Sequence, residues 1–452
     1  MPYIANTDED RRIMLDALGI ERIEELFDAV PEKFRYPDIG LPDGLSEPEV
    51  INEMRKLAAR NEAGDETISF LGGGSYEHFI PAVVPYLAAR GEFATAYTPY
   101  QSEASQGTLQ SIFEYQSMLS TLYGVDVVNA SHYDGSTAFA ESALMALNSV
   151  RKRSRIVIGP WVHPEYLEVL RTYVAALEVD LEFVDEAEWW ADPHAAVSAN
   201  VDEATAVLMV QSPDFFGRVS DLRGIAELVH EKGALLAVHA DPISLAIYRS
   251  PGELGADIVT GDGQPLGIPM GFGGPSLGIF GCRDKLVRRM PGRLVGETVD
   301  TEGRRGFVLT LNTREQHIRR AKATSNICTN QGLMALRSAI HLAALGPEGL
   351  KEVALLCHDK SHYAAERLTS IAGVSLRDRH PFFREFAIST PIPAADLIGK
   401  LRKEEIVGGI DIGRYDETQT HNLLVCVTEM RSRTDIDRLV DAVAAAVPRS
   451  AS

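Results

Sequence analysis

Apolar residues in the first 65 or so positions recur at helical intervals inside an otherwise polar stretch. Thr7 followed by Asp10 reads as an N-cap, Gly19 as a left-handed stop, and Ile23, Leu26 and Phe27 keep helical spacing up to Pro31. Ser46-Glu47-Pro48-Glu49 is a stronger start signal. The serine can cap, the glutamate three positions on can close a capping box, and proline is tolerated in the first turn. Helices this short hold only when packed, so residues 1–65 are expected to form a helical arm laid on a neighbour. From about residue 66 the grain changes. Short apolar runs at 125–128, 155–159, 181–184, 206–210, 235–238, 258–260 and 277–280 alternate with helical patterns such as 222–231. Pro193 and Pro213 read as loop punctuation. Strand and helix alternating in this way predict an α/β domain, a mainly parallel sheet covered by helices, over residues 66–330. After 330 come a helix over 331–345 ending near Gly346-Pro347, a second starting near Glu348, runs at 383–388 and 423–427, and helices from Ala394 and over 434–447. That interleaving predicts a small α+β C-terminal domain over residues 331–452.

Charge narrows the partners. With 44 basic and 64 acidic residues the formal charge is −20, which argues against nucleic acid or an anionic membrane. Cys282, Cys328, Cys357 and Cys426 show no CxxC spacing, so neither a zinc site nor a disulfide framework is suggested. No basic-then-apolar leader and no apolar run of about 18 residues occurs. The expectation is a soluble cytoplasmic protein.

The chemistry centres on Gly261-Asp262-Gly263-Gln264-Pro265-Leu266-Gly267, which follows the run at 256–260. The preceding strand ends in His239-Ala240-Asp241. Pyridoxal-phosphate (PLP) enzymes built like aminotransferases lay out their site in this way. The Asp pairs with the pyridine nitrogen, and a Lys at the turn forms the Schiff base. Here the turn carries Gln264, whose amide cannot form an imine. The chain reads as built around a cofactor site that it cannot complete alone. Among its ten lysines, Lys322 is the least implausible substitute, though it lies far past the turn. Leu71-Gly72-Gly73-Gly74-Ser75-Tyr76 is Gly-rich without being GxGxxG, and reads as a loop shaping an interface. Ala94 to Glu103 places Tyr97 and Tyr100 around Pro99, as a loop able to stack on a ring or donate to a phosphate, or simply as a stiff surface loop. Asp134-Gly135-Ser136-Thr137 opens a helix, which suits an anion site and plain N-capping equally. Lys322 to Gln331 is a polar turn read as preceding a helix, with Arg304, Arg305, Arg314, Arg319 and Arg320 upstream. A phosphate contact and a capped helix on a basic surface both fit it. HExxH, GxSxG and GxxxxGK[ST] are absent, so no metal site is expected.

Residues 95–106, 133–140, 256–274, 303–330 and 425–431 resemble the P-protein family of the glycine cleavage system, glycine dehydrogenase (decarboxylating), in its two-chain form. The likeness spans nearly the whole chain. Its most specific motifs are Thr95-Ala-Tyr-Thr-Pro-Tyr-Gln101 and Lys322-Ala-Thr-Ser-Asn-Ile-Cys-Thr-Asn-Gln331. The family's catalytic Lys falls at Gln264 and its preceding His at Gly263, which marks this chain as the subunit-1 type. The resemblance implies an aminotransferase-like large domain of PLP fold type I. It implies PLP bound covalently by subunit 2, glycine as substrate, and a lipoylated H-protein taking the aminomethyl group after CO2 leaves. Activity would require the complex, a pseudo-symmetric heterodimer doubled to α2β2. It also implies no catalytic residue here, with Tyr97, Tyr100, Thr324, Ser325 and Asn326 reaching the PLP across the interface. Two rivals stay open: a structural subunit without cofactor contact, and a stand-alone PLP enzyme using Lys322. His78 departs from the family pattern and could face the site or the core.

Overall fold

The computed structural model describes residues 5–35, 39–61, 67–94, 97–150 and 152–448. The expected domain boundary at 65/66 and the motif residues Thr95 and Ala96 lie outside them. Every apolar run expected between 125 and 280 is a strand, and together they build one seven-stranded sheet. In chain order these are β1 (Val127–Val128), β2 (Arg155–Ile158), β3 (Asp180–Phe183), β4 (Thr205–Gln211), β5 (Leu235–His239), β6 (Ile258–Asp262) and β7 (Gly278–Cys282). Their spatial order is β1-β7-β6-β5-β4-β2-β3. The pairs from β6 to β3 are parallel, while β7 runs antiparallel to β6 and β1.

Both faces of the sheet are covered, which is why the runs are continuously apolar rather than alternating. Val157, Leu208, Val210 and Val238 pack on one side with the helices Gln106–Tyr123 and Ile225–Glu231. Ile156, Ile158, Val207 and Met209 pack on the other with Gly135–Ser149 and Pro164–Val174. Pro193 does not punctuate a loop. It opens the helix Pro193–Asn200 behind the capping carboxylate of Asp192, a position where its missing N–H costs nothing.

Gly332–Thr369 is one long helical stretch broken at Gly346 (φ 62°, ψ −178°) and Pro347, where two helices were expected. Beyond it, Ser375–Leu376, Glu385–Ser389, Asn422–Cys426 and Ile410–Asp411 form a four-stranded antiparallel sheet in that order. The helices Ala394–Leu401 and Arg433–Ala446 enclose an apolar cluster of its own, including Phe70, Leu397, Leu423 and Leu439. Ile68–Ser69 and Ile406–Val407 add a short parallel pair.

Residues 1–63 are a separate unit. Within it, Asp8–Leu18 is capped by Thr7 and stopped by left-handed Gly19, and Glu49 accepts the Ser46 N–H at the start of Glu47–Ala58. Ile23–Phe27 is a 3-10 turn, too short between Gly19 and Pro31 to become an α-helix. None of the described side chains of this unit is buried.

Candidate functional site

The turn after β6 and the end of β5 meet at the carboxyl edge of the sheet, where open α/β folds place ligands. Gln264 is buried there and fully engaged. Its Nε2 donates to the carbonyls of Tyr76 and Ile268, both at 2.9 Å, and its Oε1 accepts the Tyr76 N–H at 2.8 Å. Tyr76 comes from the Gly-rich loop, which is folded onto its own chain. Glu385 accepts the Gly73 N–H at 2.7 Å and the Tyr76 hydroxyl at 2.8 Å. A Cβ on Gly72 would collide with Glu385 and Cys426, so this approach requires glycine.

Asp241 is equally committed. It accepts the Ser244 N–H at 2.9 Å, and its other oxygen pairs with the buried guanidinium of Arg384. Burial opposes that charge, but Asp241 together with Tyr76, Cys426 and Cys357 outweighs it and raises Arg384 above its ordinary value. The guanidinium also lies over the Tyr76 ring, 3.5 Å from its centroid. An internal cation therefore stands where a pyridinium would.

The helix start at Gly135 is also occupied from within. Asp262 accepts the Gly135 N–H at 2.8 Å, the Gln264 N–H at 2.8 Å and the Ser276 hydroxyl at 2.6 Å. Asp134 accepts the Thr137 N–H and the Ser136 hydroxyl, both at 2.8 Å. Capping, not anion binding, is what this motif does. Burial pushes Asp262 up to about 6. The depression of about 440 Å³ above it is lined by Asp134, Glu165 and Asp262, with no lysine or arginine among the described residues. The void left beside Asp241 and Arg384 is about 40 Å³, room for a few waters. The residues do not fit PLP: the imine position, the pyridine partner and the phosphate cradle are each filled by this chain's own groups.

His78 lies deeper, in the core. Arg384 donates to its Nε2 at 2.6 Å, and because a guanidinium only donates, the ring proton sits on Nδ1 and points at Glu429, also 2.6 Å away. Burial opposes the Glu429 charge, yet the bonds from His78 and the Phe79 N–H hold Glu429 down at about 2. Cys357 completes a group close enough to hold a metal ion. With Nε2 taken by Arg384, no lone pair on His78 is left to ligate one.

The other expected residues lie apart from this pocket. Thr324, Ser325 and Asn326 line a cavity of about 520 Å³ with Tyr133, Glu141 and Tyr173. Ser325 donates to Glu141 at 2.6 Å, and burial pushes Glu141 up to about 7. His132 lies buried at the cavity with neither ring nitrogen bonded among the described residues. The stretch from Ala323 to Gln331 has neither helix nor strand and leads directly into the helix that begins at Gly332, as expected of a polar turn before a helix. Arg293 anchors the stretch from Cys328 to Asn330, donating to Cys328 O at 2.6 Å and Asn330 Oδ1 at 3.2 Å, and it also donates to the Tyr100 hydroxyl at 3.2 Å. Tyr100 is thereby tied to the same segment, whereas Tyr97 is 89% exposed and stands away from it. Lys322 is exposed, without the desolvated setting an imine-forming lysine needs. Sequence reasoning missed Arg384, Glu385, Asp262, Arg293 and Glu141. A charged pair inside the apolar run Phe382-Phe383-Arg384-Glu385-Phe386 was the available signal for two of them.

The family model described as glycine cleavage system P-protein matches residues 1–443. A glycine dehydrogenase (decarboxylating) subunit 1 from Thermomicrobium roseum is 50% identical over 443 residues, covering 98% of this chain and 99% of that protein. A crystal structure of glycine decarboxylase (P-protein) of the glycine cleavage system, in inhibitor-bound form, superposes with a TM-score of 0.88 at 43% identity, covering 99% of this chain and 100% of that one. Alanine–glyoxylate aminotransferase from Nostoc, at 18% identity and a TM-score of 0.57 over 84% of this chain and 95% of that one, shares the fold alone. The fold is the aminotransferase-like PLP type I fold that the sequence leads one to expect.

Proposed function

The chain belongs to the P-protein family of the glycine cleavage system, and from that premise we propose that it is the lysine-less subunit of a two-chain glycine decarboxylase, active only with a partner that binds PLP covalently. The observation that carries this reading is the contrast between two sites. Its own cofactor position is closed by Gln264, Arg384 and Asp262, while Thr324 to Asn326 line an open cavity. PLP, when bound by the partner, supplies the electron sink that lets the glycine carboxylate leave as CO2. Tyr97 and Asn326 are exposed, with side chains unbonded among the described residues, and are assigned to donate to the cofactor's phosphate or ring. Ser325 is oriented by Glu141 and Tyr100 by Arg293. This wall also keeps water from the reacting carbon while the aminomethyl group passes to the lipoyl arm of the H-protein. No helix among the described residues is long and apolar enough to cross a membrane; a cytoplasmic setting is part of the proposal.

Asn326→Ala and Tyr97→Phe test it. Losing a hydrogen bond to a charged group costs about 1.5–3 kcal/mol, which corresponds to roughly 10- to 150-fold weaker PLP binding. Each variant complex should show that weakening in a PLP titration while eluting as an intact complex on gel filtration. A purely structural subunit predicts unchanged affinity, with any loss of activity following loss of assembly. Wild-type affinity in an assembled Asn326→Ala complex removes that residue from the site.

A further inference from the structure

Arg288, Arg289, Arg314 and Arg319 line a cavity of about 320 Å³ that shares Thr324 with the wall described above, and none of these four arginines takes part in that reading. Their hydrogen bonds go to main-chain carbonyls only. Arg289 donates to Asn148 O at 2.5 Å and Arg319 to Thr313 O at 3.2 Å. Arg314 donates to Leu311 O at 3.1 Å, Gly292 O at 2.9 Å and Met290 O. No ion pair engages any of the four among the described residues. Glu315, the acid next to Arg314 in sequence, is turned toward Arg293 at 3.8 Å and His317 at 3.6 Å. In a chain with 64 acids and 44 bases, four guanidinium groups lining a cavity without a carboxylate run against composition. Burial holds Arg314 below its ordinary value, with Glu315 offsetting only part of the effect.

The pocket is also held in shape. Three of the five N–H donors of Arg314 are fixed on carbonyls, which aims the remaining two. Leu311, on the cavity wall, is held in the left-handed region at φ 55°, a conformation that persists only where the surroundings impose it. One carboxylate needs one guanidinium fork, whereas several forks with the hydroxyls of Thr313 and Thr324 beside them match a multiply charged oxyanion.

We propose that this pocket binds a free compound bearing two or more phosphoryl groups, with inorganic pyrophosphate as its simplest mimic. Calorimetric titration of pyrophosphate at fixed ionic strength, into the isolated chain and into its complex with the partner subunit, tests the assignment. Saturable binding is expected in both, one site per chain. The Kd should rise at least tenfold in Arg288→Gln/Arg319→Gln, whose side chains are exposed and whose loss leaves the core untouched. Absence of saturable binding, an unchanged Kd in the double variant, or binding by the isolated chain that vanishes in the complex would overturn it. The last of these would show that the arginines meet the partner's surface instead.

Discussion

Gln264 accepts one hydrogen bond that a lysine could not, from the N–H of Tyr76. Gln264→Lys should therefore destabilise the fold by about 1–3 kcal/mol, the cost of leaving that buried donor without an acceptor. It should not restore cofactor binding, because Arg384 and Asp262 still fill the other two contacts. Urea unfolding and borohydride reduction with peptide mass spectrometry check both halves, and a pyridoxyl group on the introduced lysine would contradict the second. Glu385 gives a pH signature. It is buried among Arg384, Tyr76, Asp241 and Cys426, and burial pushes it from 4.5 up to about 7. The folded chain thus holds this proton more tightly than the unfolded one, so the contribution is full below about 4.5 and is lost as pH rises through about 7. The difference amounts to about 3 kcal/mol. In Glu385→Gln, whose amide can keep both partners, the stability gained over the wild type should grow by that amount between pH 4.5 and 8. Parallel curves would place the proton elsewhere. Of these residues, Gln264 and Asp241 were legible because the strand-turn pattern locates them. Arg384 was not: its partner Asp241 is 143 positions away, and no local pattern records such a pairing.

At the scale of elements, the strands of the large sheet were legible because both faces are buried, so each reads as an unbroken apolar run. The Gly-rich loop at 72–74 was legible as special, but not the groups of its own chain that it packs on. The groups it packs on, Glu385 and Gln264, lie far along the chain. Gly72→Ala should push the loop off Glu385 and cost about 1–3 kcal/mol, as overpacking does, measured as a lowered urea midpoint. An unchanged midpoint would mean that the loop is loosely held. The polar stretch from Lys322 to Gln331 was legible as leading into a helix, which begins at Gly332 with Gln331 at its cap. Arg293, which donates to Cys328 O and Asn330 Oδ1 within it, was not legible, because it lies 35 and 37 positions earlier in the chain.

For the whole molecule, the exposed apolar side chains speak to assembly. Phe272 is fully exposed, and Phe79, Tyr86, Tyr97 and Met270 are also uncovered. In the proposed complex a partner of the same fold would cover such side chains pseudo-symmetrically. Sedimentation of the two chains together at micromolar concentration should show a heterodimer or its doubled form; two separate monomers would contradict the proposal. The central claim is that this chain forms one wall of a cofactor site and cannot hold the cofactor itself. The most direct test is the absorbance spectrum of the purified chain titrated with PLP, alone and then with the partner subunit. No protein-bound cofactor band is expected for the chain alone, and a stoichiometric band is expected once the partner is added. A stoichiometric band from the chain alone would contradict the central claim.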